Sequence, residues 1–299
     1  MINSIKDIIE IARKRGVKRL AVACPDDRNV LSAVDRAKVS GIVSPILLGD
    51  KSGILAVAEE LSIDLSDYEI YDFPVRAEAC LEAVKLVSSG KADLLMKGLV
   101  DTAVLLRAVL DERFGLRSGK VLSHISVMEL PNYPKLLSVT DAAMNISPGV
   151  PEKRQIVENA VSMLSKLGLD NPNVAAVCAI EKVNPKMQAT LDAAELVKLN
   201  KSGELKNCVV AGPLGLDNAI SEKAATIKGI TDPVAGHADI ILCPDIEAGN
   251  ILYKALSFLT YAKSGSVVVG AKAPVVLTSR ADCEDTKFNS IALGVIAIE

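Results

Sequence analysis

Residues 274–290 read Pro274-Val-Val-Leu-Thr-Ser-Arg-Ala-Asp-Cys-Glu-Asp-Thr-Lys-Phe-Asn-Ser290. Pro274 to Leu277 is a short apolar run with β-branched residues, which predicts a buried strand. From Glu284 to Ile298 the spacing is helical, with Phe288, Ile291, Ala292 and Val295 on one side. Thr278, Ser279 and Arg280 fall between the two. Hydroxyls just ahead of a helix can cap its free N–H groups. The same groups attract anions, and Arg280 adds a permanent charge with a bidentate donor fork. A strand opening into a helix N-terminus is a common phosphate seat in parallel α/β folds. The segment alone leaves two readings open: a phosphate site, or a Ser279 that only caps and an Arg280 that is only surface charge.

Working outward, the length of 299 residues suggests one large or two medium domains. Aromatics are 3% and Trp is absent, so the core is built from Ala, Val, Leu and Ile, which suits parallel sheets between helices. A net charge of −3 argues against a nucleic-acid surface, so any phosphate-bearing ligand needs a local cationic cluster. No run approaches the roughly 18 apolar residues of a membrane span. Met1 to Gly16 mixes acids and bases at helical spacing and lacks an apolar signal core, which predicts a folded helix and a cytoplasmic protein. The six cysteines are far apart with no Cys-x-x-Cys pair, and are read as single buried thiols. His124 and His237, far apart in sequence, give no zinc pattern.

Strand-like and helix-like segments alternate from Lys18 onward, a βαβα rhythm that predicts mostly parallel sheets with helices on both faces. The rhythm breaks once. Val121–Leu130 and Leu136–Thr140 read as consecutive strands around Pro131-Asn-Tyr-Pro134, a place for a second domain to begin. Polar residues recur just after predicted strands: Lys97, Asp141, Glu181, Asp217, Asp245, Asn250, Ser279 and Arg280, with Thr102 and Arg107 on the helix after Lys97. Such positions line the ligand crevice of doubly wound sheets. Each also has an ordinary use, as a cap, a turn residue or a solvated charge. The glycines of Gly212-Pro-Leu-Gly215 resemble a weak phosphate cup.

From Lys97 onward the chain resembles the phosphate acetyl/butyryltransferase family, most closely its butyryltransferase branch. The motifs are Lys97-Gly-Leu-Val-Asp-Thr-Ala with Arg107, Val139-Thr-Asp-Ala-Ala-Met-Asn-Ile146, Glu181-Lys-Val-Asn184, Gly212-Pro-Leu with Leu216-Asp-Asn-Ala219, Pro244-Asp-Ile-Glu-Ala-Gly-Asn-Ile-Leu-Tyr-Lys254 and Leu277-Thr-Ser-Arg-Ala-Asp282. The resemblance implies two three-layer α/β/α domains of the isocitrate/isopropylmalate dehydrogenase-like type, with a cleft between them. Their expected limits are 1–131 plus 262–299, and 132–261 inserted. It implies transfer of a short acyl group, butyryl before acetyl, between CoA and inorganic phosphate by direct attack in a ternary complex. CoA is a substrate, and neither metal nor redox cofactor is needed. Ser279 would stabilise developing charge and Arg280 would bind phosphate. Asp285 is placed as the base, with Glu284 as an alternative, because the acetyl members' aspartate position falls here on Thr286. Lys97, Thr102, Arg107, Asp141, Asn145, Asp245 and Asn250 would bind substrate. A homo-oligomer, at least a dimer, working with an acyl-phosphate kinase is implied. Cys283 as an acyl carrier is set below a small buried residue. A reading from another class is a metal- and nicotinamide-dependent decarboxylating dehydrogenase, with Asp239, Asp245 and Glu247 as cation ligands. A third is a catalytically silent CoA-binding regulator.

Overall fold

The computed structural model describes residues 2–298. The chain divides into two compact units. The outer unit is Ile5–Lys120 with the chain from Gly265 onward, and the middle unit is Val121–Ser264 with the segment before Ile5.

The outer unit opens with α1 (Ile5–Lys14), whose buried Ile5, Ile8 and Ala12 follow helical spacing. Then come β1 (Lys18–Ala23), α2 (Arg28–Val39), β2 (Val43–Gly49), α3 (Lys51–Leu61), β3 (Glu69–Asp72), α4 (Arg76–Ser88), β4 (Leu94–Lys97) and α5 (Thr102–Val109). Asp27 caps α2, accepting from the Val30 N–H at 3.0 Å. The middle unit holds β5 (Ser123–Glu129), β6 (Leu137–Thr140), α6 (Val150–Lys166), β7 (Asn173–Val177), α7 (Gln188–Lys201), β8 (Val209–Leu214), α8 (Leu216–Ile220), α9 (Glu222–Ile227), β9 (Ile240–Leu242) and α10 (Ile246–Leu259). The chain returns through β10 (Lys263–Val269), β11 (Val275–Val276) and α11 (Glu284–Ala297).

Strand order in the outer unit is β3-β2-β1-β4-β11-β10. All neighbours are parallel except β10 and β11. From β1 the chain winds outward through β2 to β3, then crosses back to β4 on the other side of β1. That reversal puts the two helix groups on opposite faces: α1, α2 and α11 pack together, and so do α4 and α5. Every residue of β4 is buried, as in a strand covered on both faces. α11 is buried on all sides from Lys287 to Ala297, so it is a core helix rather than an amphipathic one. Gly294 lets it approach the sheet, since a β-carbon there would lie 2.7 Å from a Val276 methyl.

In the middle unit the order is β5-β6-β9-β7-β8, with only β5 and β6 antiparallel. Met128, Leu137, Val139, Ile241, Val234 and Tyr253 centre its core. The expected limit at Asn132 cuts this sheet after β5. The division at Val121 differs because β5 pairs with β6, Ser126 opposite Val139, and goes with its partner. Gly212 and Pro213 fall inside β8, so the glycine pair read as a cup is a strand and Gly215 alone precedes α8.

Candidate active site

The switch between β1 and β4 is where a doubly wound sheet opens a crevice at its strand ends. A small pocket lies there, with Asp27 after β1, Lys97 at the end of β4 and Gly98 just after it, Ser279 and Arg280 after β11, and Lys287 in the first turns of α11. All of these belong to the outer unit. The sequence dictates the closeness locally. The N–H groups of Gly98 and Leu99 donate to the carbonyls of Ala23 and Cys24 at 2.8 and 2.7 Å, stitching the loop after β4 onto the end of β1. A side chain on residue 98 would collide with those carbonyls.

Lys97 is 4% exposed, and its Nζ donates to the carbonyls of Gly98 and Val100 at 3.1 and 3.0 Å. Burial, then the charges of Arg280 and Lys287, push its pKa below the ordinary lysine value. Lys287 is 2% exposed and donates to the carbonyls of Ser279 and Asp282 at 3.0 and 2.6 Å. Burial lowers its pKa as well, against the pull of Asp282 and Asp27. Asp282 completes the turn by accepting the Ser279 N–H at 2.7 Å.

Ser279 is therefore not a helix cap. The N-cap of α11 is Cys283, and the Ser279 hydroxyl accepts only the Ala281 N–H, at 3.3 Å. The first turn of α11 carries Glu284 and Asp285, so its positive end already faces carboxylates. Arg280 is exposed and pairs with Asp101.

The structure does not bring Asp285 into the pocket. Its carboxylate is 74% exposed and pairs with Arg36 at 2.5 Å. Arg36 lies over the Phe288 ring at 4.2 Å, which fixes it beside α11. Glu284 is drawn the same way, accepting from Ser32 at 2.7 Å with Arg36 at 3.6 Å. Asp27 is the carboxylate in the pocket lining among the described residues. Thr102 begins α5 and Arg107 lies exposed near its end; neither lines the pocket. Cys283, read as buried, is exposed. Cys24, read as an isolated thiol, is buried and its Sγ donates to the Arg76 carbonyl at 3.8 Å.

The remaining predicted residues sit in the middle unit, where they hold backbone. Asp141 is buried and accepts the N–H groups of Ala143 and Met144 at 2.9 and 3.0 Å, and the amide of Asn145. Asn145 also donates to the Leu122 carbonyl at 2.8 Å. Asp245 caps α10 through the Ala248 N–H at 2.9 Å. Asn250 donates to the Ala142 carbonyl at 3.1 Å, and Gly249 leaves room for the Asp141–Ala142 backbone. The two motifs therefore interlock the ends of β6 and β9. Asp239, offered as a cation ligand, pairs with Lys135 at 2.5 Å and accepts the Asn173 N–H.

Sequence reasoning passed over Lys287. Its signal was present: residue 287 shares a helix face with Ile291 and Val295, so a lysine there interrupts an apolar stripe.

The protein-family profile described as phosphate acetyl/butaryl transferase matches residues 74–295. A phosphate butyryltransferase of Clostridium acetobutylicum is 50% identical, covering 99% of this chain and 98% of its own. A phosphate acetyltransferase of Thermotoga maritima is 49% identical, covering 98% and 99%. Among solved structures, a branched-chain phosphotransacylase from Enterococcus faecalis is 34% identical with a TM-score of 0.82, over 94% of this chain and 98% of that one. A 4-hydroxythreonine-4-phosphate dehydrogenase from Klebsiella pneumoniae, at 12% identity and a TM-score of 0.56 over 94% and 99%, shares the dehydrogenase-like fold alone.

Proposed function

This chain belongs to the phosphate acetyl/butaryl transferase family, and from that premise we propose that it moves a butyryl group between CoA and inorganic phosphate. One observation carries the assignment of the site: Ser279 and Arg280 share a pocket with buried Lys97 at the sheet's switch point. Phosphate is the small anion this pocket suits, because cations outnumber carboxylates in its lining.

A phosphate oxygen attacks the thioester carbonyl. The carbonyl oxygen takes up negative charge, and the Ser279 hydroxyl is the donor available to it. The carbon–sulfur bond then breaks, CoA leaves as thiolate, and the new carbon–oxygen bond gives butyryl phosphate. Thioester and acyl phosphate are both activated acyl groups, so the exchange needs neither metal nor redox cofactor. Arg280 leaves Asp101 to hold the phosphate, and Lys97 adds charge from below. With Asp285 committed to Arg36, Asp27 is the lining carboxylate that would take the CoA thiol proton in the reverse direction.

The Thermotoga relative favours a second reading, acetyl transfer, at nearly the same identity. Butyryl carries two more methylenes than acetyl, each worth only about 1–3 kcal/mol in a pocket, so both acyl chains belong in the assay. Thiol release from acetyl-, butyryl- and isobutyryl-CoA, with and without phosphate, tests the proposal. Phosphate-dependent release fastest with butyryl-CoA is expected; no phosphate-dependent release from any of the three sinks it. Ser279→Ala should lower kcat at least tenfold with little change in either KM. We further place the enzyme in the cytoplasm as a homo-oligomer, at least a dimer, beside a kinase that takes the acyl phosphate on to ATP. No helix among the described residues is long and apolar enough to cross a membrane.

A further inference from the structure

We propose that Lys287 is a second buried phosphate-binding lysine of this site and the brace that holds Ser279 and Arg280 in place, an inference that rests on the acyl-transfer reading. An ammonium has three N–H donors. Lys287 gives two to the carbonyls of Ser279 and Asp282. Lys97 gives two to the carbonyls of Gly98 and Val100. The lysines thus pin the two loops that form the pocket's walls, and each keeps one donor beside the pocket that both line.

The charge balance points the same way. A buried ammonium held only for packing is expected against a carboxylate. The direct acceptors of Lys287 are neutral carbonyls; the carboxylate of Asp282 accepts the Ser279 N–H and acts on Lys287 only through its charge. Lys97, Arg280 and Lys287 face a lining with one carboxylate, Asp27, among the described residues. A dianion of the size of inorganic phosphate would balance that excess. Burial, and then repulsion from Arg280 and Lys287, lowers the pKa of Lys97, so that lysine already feels the excess in the free protein.

Two variants on the full chain test this. Lys287→Met keeps the aliphatic stem and removes the charge. Lys287→Gln removes the charge but keeps one donor for the Ser279 carbonyl. Initial rates of thiol release would be measured over a range of phosphate and of butyryl-CoA, and inorganic phosphate alone would be titrated calorimetrically. Expected is a phosphate KM raised at least tenfold, a butyryl-CoA KM within twofold of the parent, and phosphate binding weakened in parallel. An unchanged phosphate KM, or both KM values moving together, overturns the proposal. If neither variant melts cooperatively, Lys287 is a core residue and the binding role is likewise overturned. A parent protein that binds phosphate but releases no thiol fails the acyl-transfer reading instead, and the calorimetry still decides Lys287.

Discussion

A β-carbon on residue 98 would lie 2.7 Å from the carbonyl oxygen of Ala23 and closer still to that of Cys24, so Gly98 seats its loop on β1 only because it has no side chain. Gly98→Ala must push the loop away and weaken two backbone hydrogen bonds. A loss of about 2–4 kcal/mol is expected from overpacking and the lost bonds. Denaturant unfolding measures it, and phosphate KM should rise because Lys97 moves with the loop.

Arg280 and Asp101 should respond in opposite directions. Arg280→Gln removes a phosphate ligand and raises phosphate KM at least tenfold. Asp101→Asn frees the arginine from an exposed pair. Such pairs hold about 0.2–1 kcal/mol, so phosphate KM should fall by about two- to fivefold at most. Initial-rate kinetics at low salt would show both, and a fall for Arg280→Gln would contradict the site.

Asp282 and Asp285 separate positioning from surface charge. Asp282→Ala removes the acceptor of the Ser279 N–H and should lower kcat at least tenfold. Asp285→Asn loosens an exposed pair with Arg36 and should leave kcat within twofold. A collapse of kcat in Asp285→Asn would restore that residue as the base.

Lys97 and Lys287 have pKa values depressed below the ordinary 10.5. Between the folded values and 10.5 the unfolded chain binds more protons, so these two groups make folding more favourable as pH rises through that window. They lose charge in the same window, so kcat/KM for phosphate should fall on an alkaline limb that lies below 10.5. In kcat, read at saturating phosphate, the bound anion favours the charged forms and the limb should lie higher. A pH profile of kcat/KM that stays flat up to 10.5 would show the lysines are not involved.

The middle unit offers a test free of the site. Lys153 and Asp192 form a buried pair at 2.6 Å, with side chains 5% and 6% exposed, and Gln188 donates to the second carboxylate oxygen at 2.7 Å. Lys153→Met strands a buried carboxylate and should cost about 3–5 kcal/mol. Adding Asp192→Leu should recover most of it, a coupling read from a double-mutant cycle in denaturant.

The alternation of strands and helices was legible from Lys18 onward because short β-branched runs and capped helical stripes leave clear periodicities. The break at Pro131 was legible too, and it is the antiparallel pairing of β5 with β6. The lining of the pocket was legible at Lys97, Ser279 and Arg280, which the strand ends deliver together. Asp285 was not, because its neighbour Arg36 is 249 residues away in sequence. Asp141, Asn145 and Asp245 are polar groups just after strands, as expected, whereas Asn250 lies within α10. Binding a substrate and tying off backbone call for the same residue types, so the linear order could not reveal the hydrogen bonds they make to the loop after β6, to Leu122 ahead of β5 and to the first turn of α10. Lys287 was hidden by its charge: a lysine is ordinarily assigned to solvent, and this one lies inside the core helix.

The position of β11 between β4 and β10 has a bearing on biosynthesis. A nascent chain that has emerged only through α5 exposes the lateral rim of β4, whose parallel neighbour β11 follows the whole middle unit in the chain. The pocket wall carrying Ser279 and Arg280 therefore cannot form until the middle unit has been translated. A product terminated before Val275 would carry an unsealed apolar ribbon, a substrate for chaperones or for aggregation rather than a weaker enzyme.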